Sequence, residues 1–359
     1  QMDSLSFTLS DNYFIPSALG ILNIVSSGNL FSEVTITLAN PMETNQQYTL
    51  TVSDEVMDFA GNSIDEVDID FALPQTPLAN EIVINEVLFN PYTGGTDFVE
   101  LYNNSTKTFD LKKLYLSNRD LNTLDLNQTY PASDTARLFF PYEYIVICTN
   151  PDLVKQFYTA EKPNAFVWAS KLASFNNDKG YVVLLDEQLG VIDEFYYTEK
   201  MHNKLINDTK GVSLERINPD LPSNEASTWQ SASQVVGFAT PTYKNSQYTD
   251  ATSSSSNFTL APETFSPDGD GRDDYLLINY NLPDAGYVAN IRVYTSNGVE
   301  VYRLANNLLL GTEGSIRWDG INFSNRRVSV GIYIIYIEYF NLKGEVKKEK
   351  KVCVVASRG

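Results

Sequence analysis

The sequence predicts an all-β protein, and three observations carry that reading. Its 359 residues include 22 Tyr and 19 Phe, which with Val, Ile and Thr favour pleated, half-buried surfaces. Short runs alternate apolar and polar residues with a period of two, as strands with one wet face do. Long stretches with apolar residues at helical spacing are almost absent. With 43% apolar residues the chain can bury real cores, and its length suits two or three domains.

The first element group is "NQQYTLTVSDEVMDFAGNSIDEVDIDFAL", Asn45–Leu73. Tyr48, Leu50 and Val52 alternate with Thr49, Thr51 and Ser53 as a strand. "DFAGN" (Asp58–Asn62) then turns, with Gly61 free to take a positive φ. Val67, Ile69 and Phe71 alternate with Asp68, Asp70 and Ala72 as a last strand. The phrase resembles bacterial Ig-like domains, over about residues 3–74 of a domain placed at 1–76. Such domains carry further strands before "DSLSFTLSDNYFI", so Gln1 reads as a cut boundary, with N-terminal strands missing.

"PQTPLAN" (Pro74–Asn80) is a short Pro-rich linker. Beyond it, "EIVINEVLFNPYTGGTDFVELYNN" predicts two alternating strands, with Ile82, Ile84 and Glu86 pointing one way and Val83, Asn85 and Val87 the other. "NPDLVKQFY" (Asn150–Tyr158) predicts a short helix, Asn150 as N-cap and Pro151 at the first helical position. The opening "INEV…DFVEL.N" and the close "G.SLERI…W…ATP…NS" together resemble a lamin-tail domain over 80–247. The resemblance implies a compact Ig-like β-sandwich.

"TDATSSSSN" lies within a Ser-rich, flexible linker, 248–258. The remainder, 259–359, holds "FSPDGDGRDD", "IRVYTSNG", "WDG" and "VGIYIIYIEY", with glycines at the hairpin turns "SNG" and "LKG". It resembles the Ig-like domain of the flagellar hook-cap type, a module found at the C-terminus of proteins secreted by Bacteroidota-type bacteria. Together the resemblances imply three Ig-like β-sandwich domains in series.

The formal charge is −19, unevenly spread. Residues 1–78 carry eleven acids and no Lys or Arg, 79–248 carry 21 acids against 14 bases, and 249–359 carry 13 against 12. That sign repels phosphate backbones and argues against nucleic-acid binding as the main role. No stretch approaches about 18 consecutive apolar residues, so no membrane-spanning segment is predicted, and no signal peptide is read at Gln1. Cys148 and Cys353 sit in apolar runs and read as buried small hydrophobes.

Candidate sites are few. Asp268, Asp270 and Asp274 follow a D-x-D-G-x-x-D spacing, in which Gly269 and Gly271 let alternate carboxylates converge and the Arg272 carbonyl adds an oxygen. Calcium takes hard oxygens in flexible geometry. The loop lacks the distal Glu of a full EF-hand, so two readings stay open: a structural calcium site and a plain acidic turn. Glu86 and Glu100, on neighbouring strands, form a pair that could be a carboxylate dyad, although they fall in motif positions of a structural family. His202 is the lone histidine, read as structural. Trp229 and Trp318 fall in motif positions and read as core, which leaves Trp168 as the candidate for a glycan-stacking surface. "DSL" (Asp3–Leu5) and "DTA" (Asp134–Ala136) fit an O-glycosylation triplet used by Bacteroidota-type secreted proteins.

No nucleophile elbow, phosphate-binding glycine loop or H-E-x-x-H zinc motif is present, so no enzyme is predicted. The expected function is a non-catalytic secreted or cell-surface subunit, structural, adhesive or accessory. It would sit extracellularly or on the outer-membrane surface and engage a surface protein complex. The rivals are an accessory tail of a larger secreted hydrolase or nuclease, and a carbohydrate-binding module.

Overall fold

The computed structural model describes residues 3–27, 32–250 and 257–357. Gln1 and most of the predicted Ser-rich linker, residues 251–256, lie outside the described residues. Strands take 42% of the chain and helices 8%, so the fold is all-β.

By packing, the chain divides into two compact units. The first comprises Gln1–Pro77 with Ser105–Leu111 and Ala136–Tyr142. It has a three-stranded antiparallel sheet, ordered Tyr13–Phe14, Gln47–Val52, Val67–Ala72, and a separate hairpin of Ile21–Ser27 with Glu33–Leu38. The predicted turn is built as read: the Asp58 carboxylate accepts from the Ala60 and Asn62 backbone N–H groups, and Gly61 has φ +82°. The last strand is an edge, and its Val67 and Ile69 are 43% and 47% exposed. Phe109–Asp110 and Leu138–Phe139 pair as a further small sheet in this unit, burying Phe109 and Phe139. These two segments come from within 80–247 of the sequence.

The second unit takes the rest of the chain. A six-stranded sheet runs in the order Phe166–Trp168, Tyr144–Cys148, Phe98–Asn103, Ile82–Leu88, Leu214–Arg216, Trp229–Ser231. A four-stranded sheet runs in the order Leu126–Pro131, Tyr115–Arg119, Lys179–Leu185, Val191–Thr198. Trp229 is core, as expected, stacked on Phe195 at 3.6 Å. The predicted helix is Pro151–Phe157, with the Asn150 side chain accepting from the Leu153 N–H.

One expectation fails in the central strand. Its register against Phe98–Asn103 pairs Ile84 with Leu101 and Glu86 with Glu100, leaving Asn85 as an extra residue. Cross-strand partners share a face, so this bulge puts Ile84 and Val87 on one face and Glu86 and Leu88 on the other. Ile82, Ile84 and Glu86 therefore do not point one way. All seven residues of the strand are buried, so neither face is wet.

The C-terminal residues of this unit form two more sheets. One is Asn257–Ala261, Leu276–Asn281, Glu313–Trp318; the other is Thr264–Phe265, Val346–Val355, Gly331–Phe340, Val288–Thr295, Glu300–Leu309. Trp318 is fully buried between Phe265 and Tyr333. Gly298 and Gly344 take positive φ at the two predicted hairpin turns.

Candidate functional site

The bulge gathers three carboxylates. Glu86 faces Glu100 on one neighbouring strand and Glu215 on the other, and all three are fully buried. Each sits inside an apolar strand sequence: "INEVL", "FVELY", "SLERI".

What they hold is the segment "ATPTYKNSQ", Ala239–Gln247. Glu86 Oε1 accepts from the Thr240 N–H at 2.9 Å and from the Ser213 hydroxyl at 2.5 Å. Glu100 Oε2 accepts from the Thr242 N–H at 2.5 Å, while its Oε1 takes the Asn85 amide at 2.8 Å. Glu215 accepts from the Gln247 N–H, the Ser246 hydroxyl and the Thr240 hydroxyl. Each carboxylate thus captures a backbone N–H of a segment that forms no ladder of its own, which meets the need to pair buried donors. Burial raises the carboxyl pKa of all three, and their mutual repulsion raises those of Glu86 and Glu100 further. The Glu86–Glu100 pair is brought together as the sequence suggested, but with Glu215 added and with the segment lying over it. Its oxygens are occupied in accepting from that segment, Ser213 and Asn85.

The same segment continues into the C-terminal part of the unit. The Ser246 carbonyl accepts from the Thr312 N–H at 2.8 Å. The fully buried Gln247 side chain donates to the Leu310 carbonyl and accepts from the Gly286 N–H, both at 2.9 Å. The Ser233 hydroxyl donates to the Leu309 carbonyl at 3.0 Å. Backbone comes so close at Gly311 that an added Cβ would lie 2.6 Å from the Ser246 oxygen. Lys244 and Glu313 pair at 3.1 Å on the rim. Residues 244–249 are therefore anchored, including Tyr248 and Thr249, the first two residues of the predicted flexible linker.

Asp268, Asp270 and Asp274 do converge: one carboxylate oxygen from each lies within 4.8 Å of the others. The loop is also internally bonded. Asp274 accepts from the Gly269 and Gly271 N–H groups, and Asp270 Oδ1 accepts from the Arg272 N–H at 2.7 Å. Gly269 and Gly271 have φ +84° and +85°, the freedom for which the sequence reading singled them out.

Trp168 is 57% exposed on the edge strand of the six-stranded sheet. His202 is buried; its Nδ1 lies 3.0 Å from the Ser231 hydroxyl and its Nε2 has no partner among the described residues. Burial lowers its pKa to about 4, so the ring is neutral. Cys148 and Cys353 are buried free thiols, both pushed up to about 12 by burial and therefore unreactive. Of the triplets, Asp3 caps the Ser4–Thr8 helix, and Asp134 accepts from the Ser170 N–H and hydroxyl. No described helix is long and apolar enough to cross a membrane.

Residues 75–199 match the Lamin Tail Domain family, and residues 259–355 match the CHU_C Type IX secretion signal domain. No curated protein matches the chain. Among solved structures, the chain is similar to CopC from Methylosinus trichosporium OB3b, with 13% identity over 29% of this chain and 97% of that one, TM-score 0.21. It is similar to PorZ, described as an essential bacterial surface component of the type-IX secretion system of Porphyromonas gingivalis, with 11% identity, 94% and 39% coverage and TM-score 0.24. It is also similar to dimeric latent PorU from the same organism, with 10% identity, 90% and 25% coverage and TM-score 0.23. The chain thus spans well under half of PorZ and of PorU, and likeness at these scores fixes neither topology nor role. The two matched families are Ig-like and secretion-signal types and not catalytic ones. A domain of the Type IX secretion signal class makes this chain a secreted or cell-surface protein.

Proposed function

We propose that the chain is a non-catalytic structural, adhesive or accessory subunit of a Bacteroidota-type cell surface, working through a surface protein complex. One observation carries this reading: the secretion-signal region is locked by buried hydrogen bonds onto the lamin-tail region, so export delivers a preassembled β-sandwich pair. Its sequence is organised in three modules in series, and the hook-cap likeness of the last is retained as part of this proposal. A structural calcium ion at Asp268, Asp270 and Asp274, with the Arg272 carbonyl, belongs to the same reading. Its support is the convergence of the three carboxylates and the relief of their mutual repulsion that a cation brings.

The test uses the native host. The chain is tagged at its own locus, membranes are solubilised gently, and co-purifying proteins are identified in calcium and in EDTA. A stoichiometric surface partner is the expected result, retained in calcium and released in EDTA. Recovery of the chain alone in both buffers would overturn the subunit reading. Retention of the partner in EDTA would remove calcium from it.

A further inference from the structure

A second region of the lamin-tail part carries a cleft. A cleft of about 500 Å³ opens beside the Val191–Thr198 edge strand, lined by Tyr181, Tyr196, Glu194, Asn80 and Asn224 among others. That volume lies inside the ~300–1,000 Å³ usual for small-molecule sites. Tyr181 and Tyr196 are directly opposite on paired strands, ring centroids 4.8 Å apart and planes tilted by 44°. Tyr196 is 40% exposed.

Charge decides the ligand class. The cleft has two carboxylates, and both are already neutralised. Glu194 is held by Arg119 through two hydrogen bonds of 2.9 and 2.7 Å. Asp193 pairs with the buried Arg216 at 3.0 Å and also accepts from the Ile84 N–H. A charged ligand meets no unpaired charge among the lining residues, and a chain of net charge −19 repels anions. The Tyr181 and Tyr196 hydroxyls and the Asn224 amide, by contrast, make no hydrogen bond within the protein among the described residues, so they are available to an incoming ligand. An aromatic face beside unused hydroxyl and amide groups suits a ring with apolar C–H faces and hydroxyl edges.

We infer that this cleft binds a neutral polysaccharide chain, one sugar face lying on Tyr196 and its hydroxyls reaching Asn224. The inference goes beyond display on the surface and is independent of the protein partner there. It also places the glycan site away from Trp168.

The full chain is run in native gels containing neutral β-glucan, xylan or mannan, with alginate as the anionic polymer. Titration calorimetry follows with an oligosaccharide of whichever polymer retards it. At least one neutral polymer is expected to retard the chain and alginate is not. Tyr196→Ala should weaken binding about tenfold, the order carried by one aromatic contact, and Tyr196→Phe should restore most of it. Asn224→Ala should weaken binding less, and Trp168→Ala should leave it unchanged. Asn224 is exposed, so its variant reports on the cleft even if Tyr196→Ala disturbs the strand. Retardation by none of the neutral polymers, or by alginate alone, would overturn the inference. So would loss of binding in Trp168→Ala with Tyr196→Ala intact.

Discussion

Three buried glutamates whose pKa values are raised make stability depend on pH, and the sign follows from where each form binds protons. In the unfolded chain these carboxyls titrate near 4.5, whereas burial pushes Glu86 to about 8 and Glu215 to about 7. Between those limits the folded state holds protons that the unfolded state has released. Their contribution is therefore fully present below pH 4.5 and is lost as pH rises through 7 and 8. His202 works the other way. With its pKa lowered from 6.5 to about 4, it contributes fully above pH 6.5 and loses its share as pH falls toward 4. Three acids outweigh one histidine, so Tm should fall from pH 5.5 to 8.5. Glu86→Gln keeps an oxygen for the Thr240 N–H and turns an amide toward the Thr240 hydroxyl, without a titrating group. It should flatten the profile relative to wild type, a comparison that cancels the repulsion of the whole acidic chain. Parallel profiles in a thermal melt series would show that the glutamates do not set the slope.

At the scale of elements, the Ala239–Gln247 segment joins the lamin-tail sheet to the secretion-signal region, and Gln247 is where the two halves meet. Gln247→Ala leaves the Leu310 carbonyl and the Gly286 N–H buried without partners, at about 1–3 kcal/mol each. Wild type should therefore unfold its second unit in one calorimetric transition, and the variant in two, the secretion-signal region first. A single transition at unchanged Tm would show that the junction contributes nothing to cooperativity. This element also marks where the sequence stopped being legible. Period two revealed the strands, and local chemistry revealed the Asn150 cap, the Asp58 turn and the convergence of Asp268, Asp270 and Asp274. The bulge at Asn85 left no trace, because a strand buried on both faces has no wet side whose phase could shift. Glu86 and Glu100 were readable as a pair, but Glu215 and the Thr240, Thr242 and Gln247 donors lie more than a hundred residues away. The available signal was chemical: three acids, each centred in an otherwise apolar strand, require buried donors from somewhere. The Tyr181–Tyr196 pairing was equally hidden, since a cross-strand pair exists only once register is set.

Over the whole molecule, stability is shared unequally between the two units. Among the described residues, the first unit's buried apolar side chains are Tyr13, Leu19, Val52, Val56 and Ala72, with Phe109, Leu111 and Phe139 from the two later segments. Phe14, Leu22, Val25, Phe59 and Ile69 are about half exposed or more. A core this small leaves little surplus over chain entropy. Charge removes more: the first unit holds twelve acids, eleven of them in Gln1–Pro77 and the other Asp110, against two bases, Lys107 and Arg137, and like charges gathered in a compact state repel. The second unit buries two full sandwiches of apolar side chains and spreads its bases among its acids. The first unit should therefore melt at the lower temperature. Its Tm should also rise more with salt, because at about 1 M the Debye length shrinks to about 3 Å and acid–acid repulsion is screened. Hydrogen exchange read along the chain during a heating series, at about 0.05 and 1 M sodium chloride, separates the units. Loss of protection in the Gln47–Val52 and Val67–Ala72 strands before the Ile82–Leu88 strand, with the gap narrowing in salt, is the expected pattern. Simultaneous loss at both salt concentrations would mean that neither core size nor charge sets the order of unfolding.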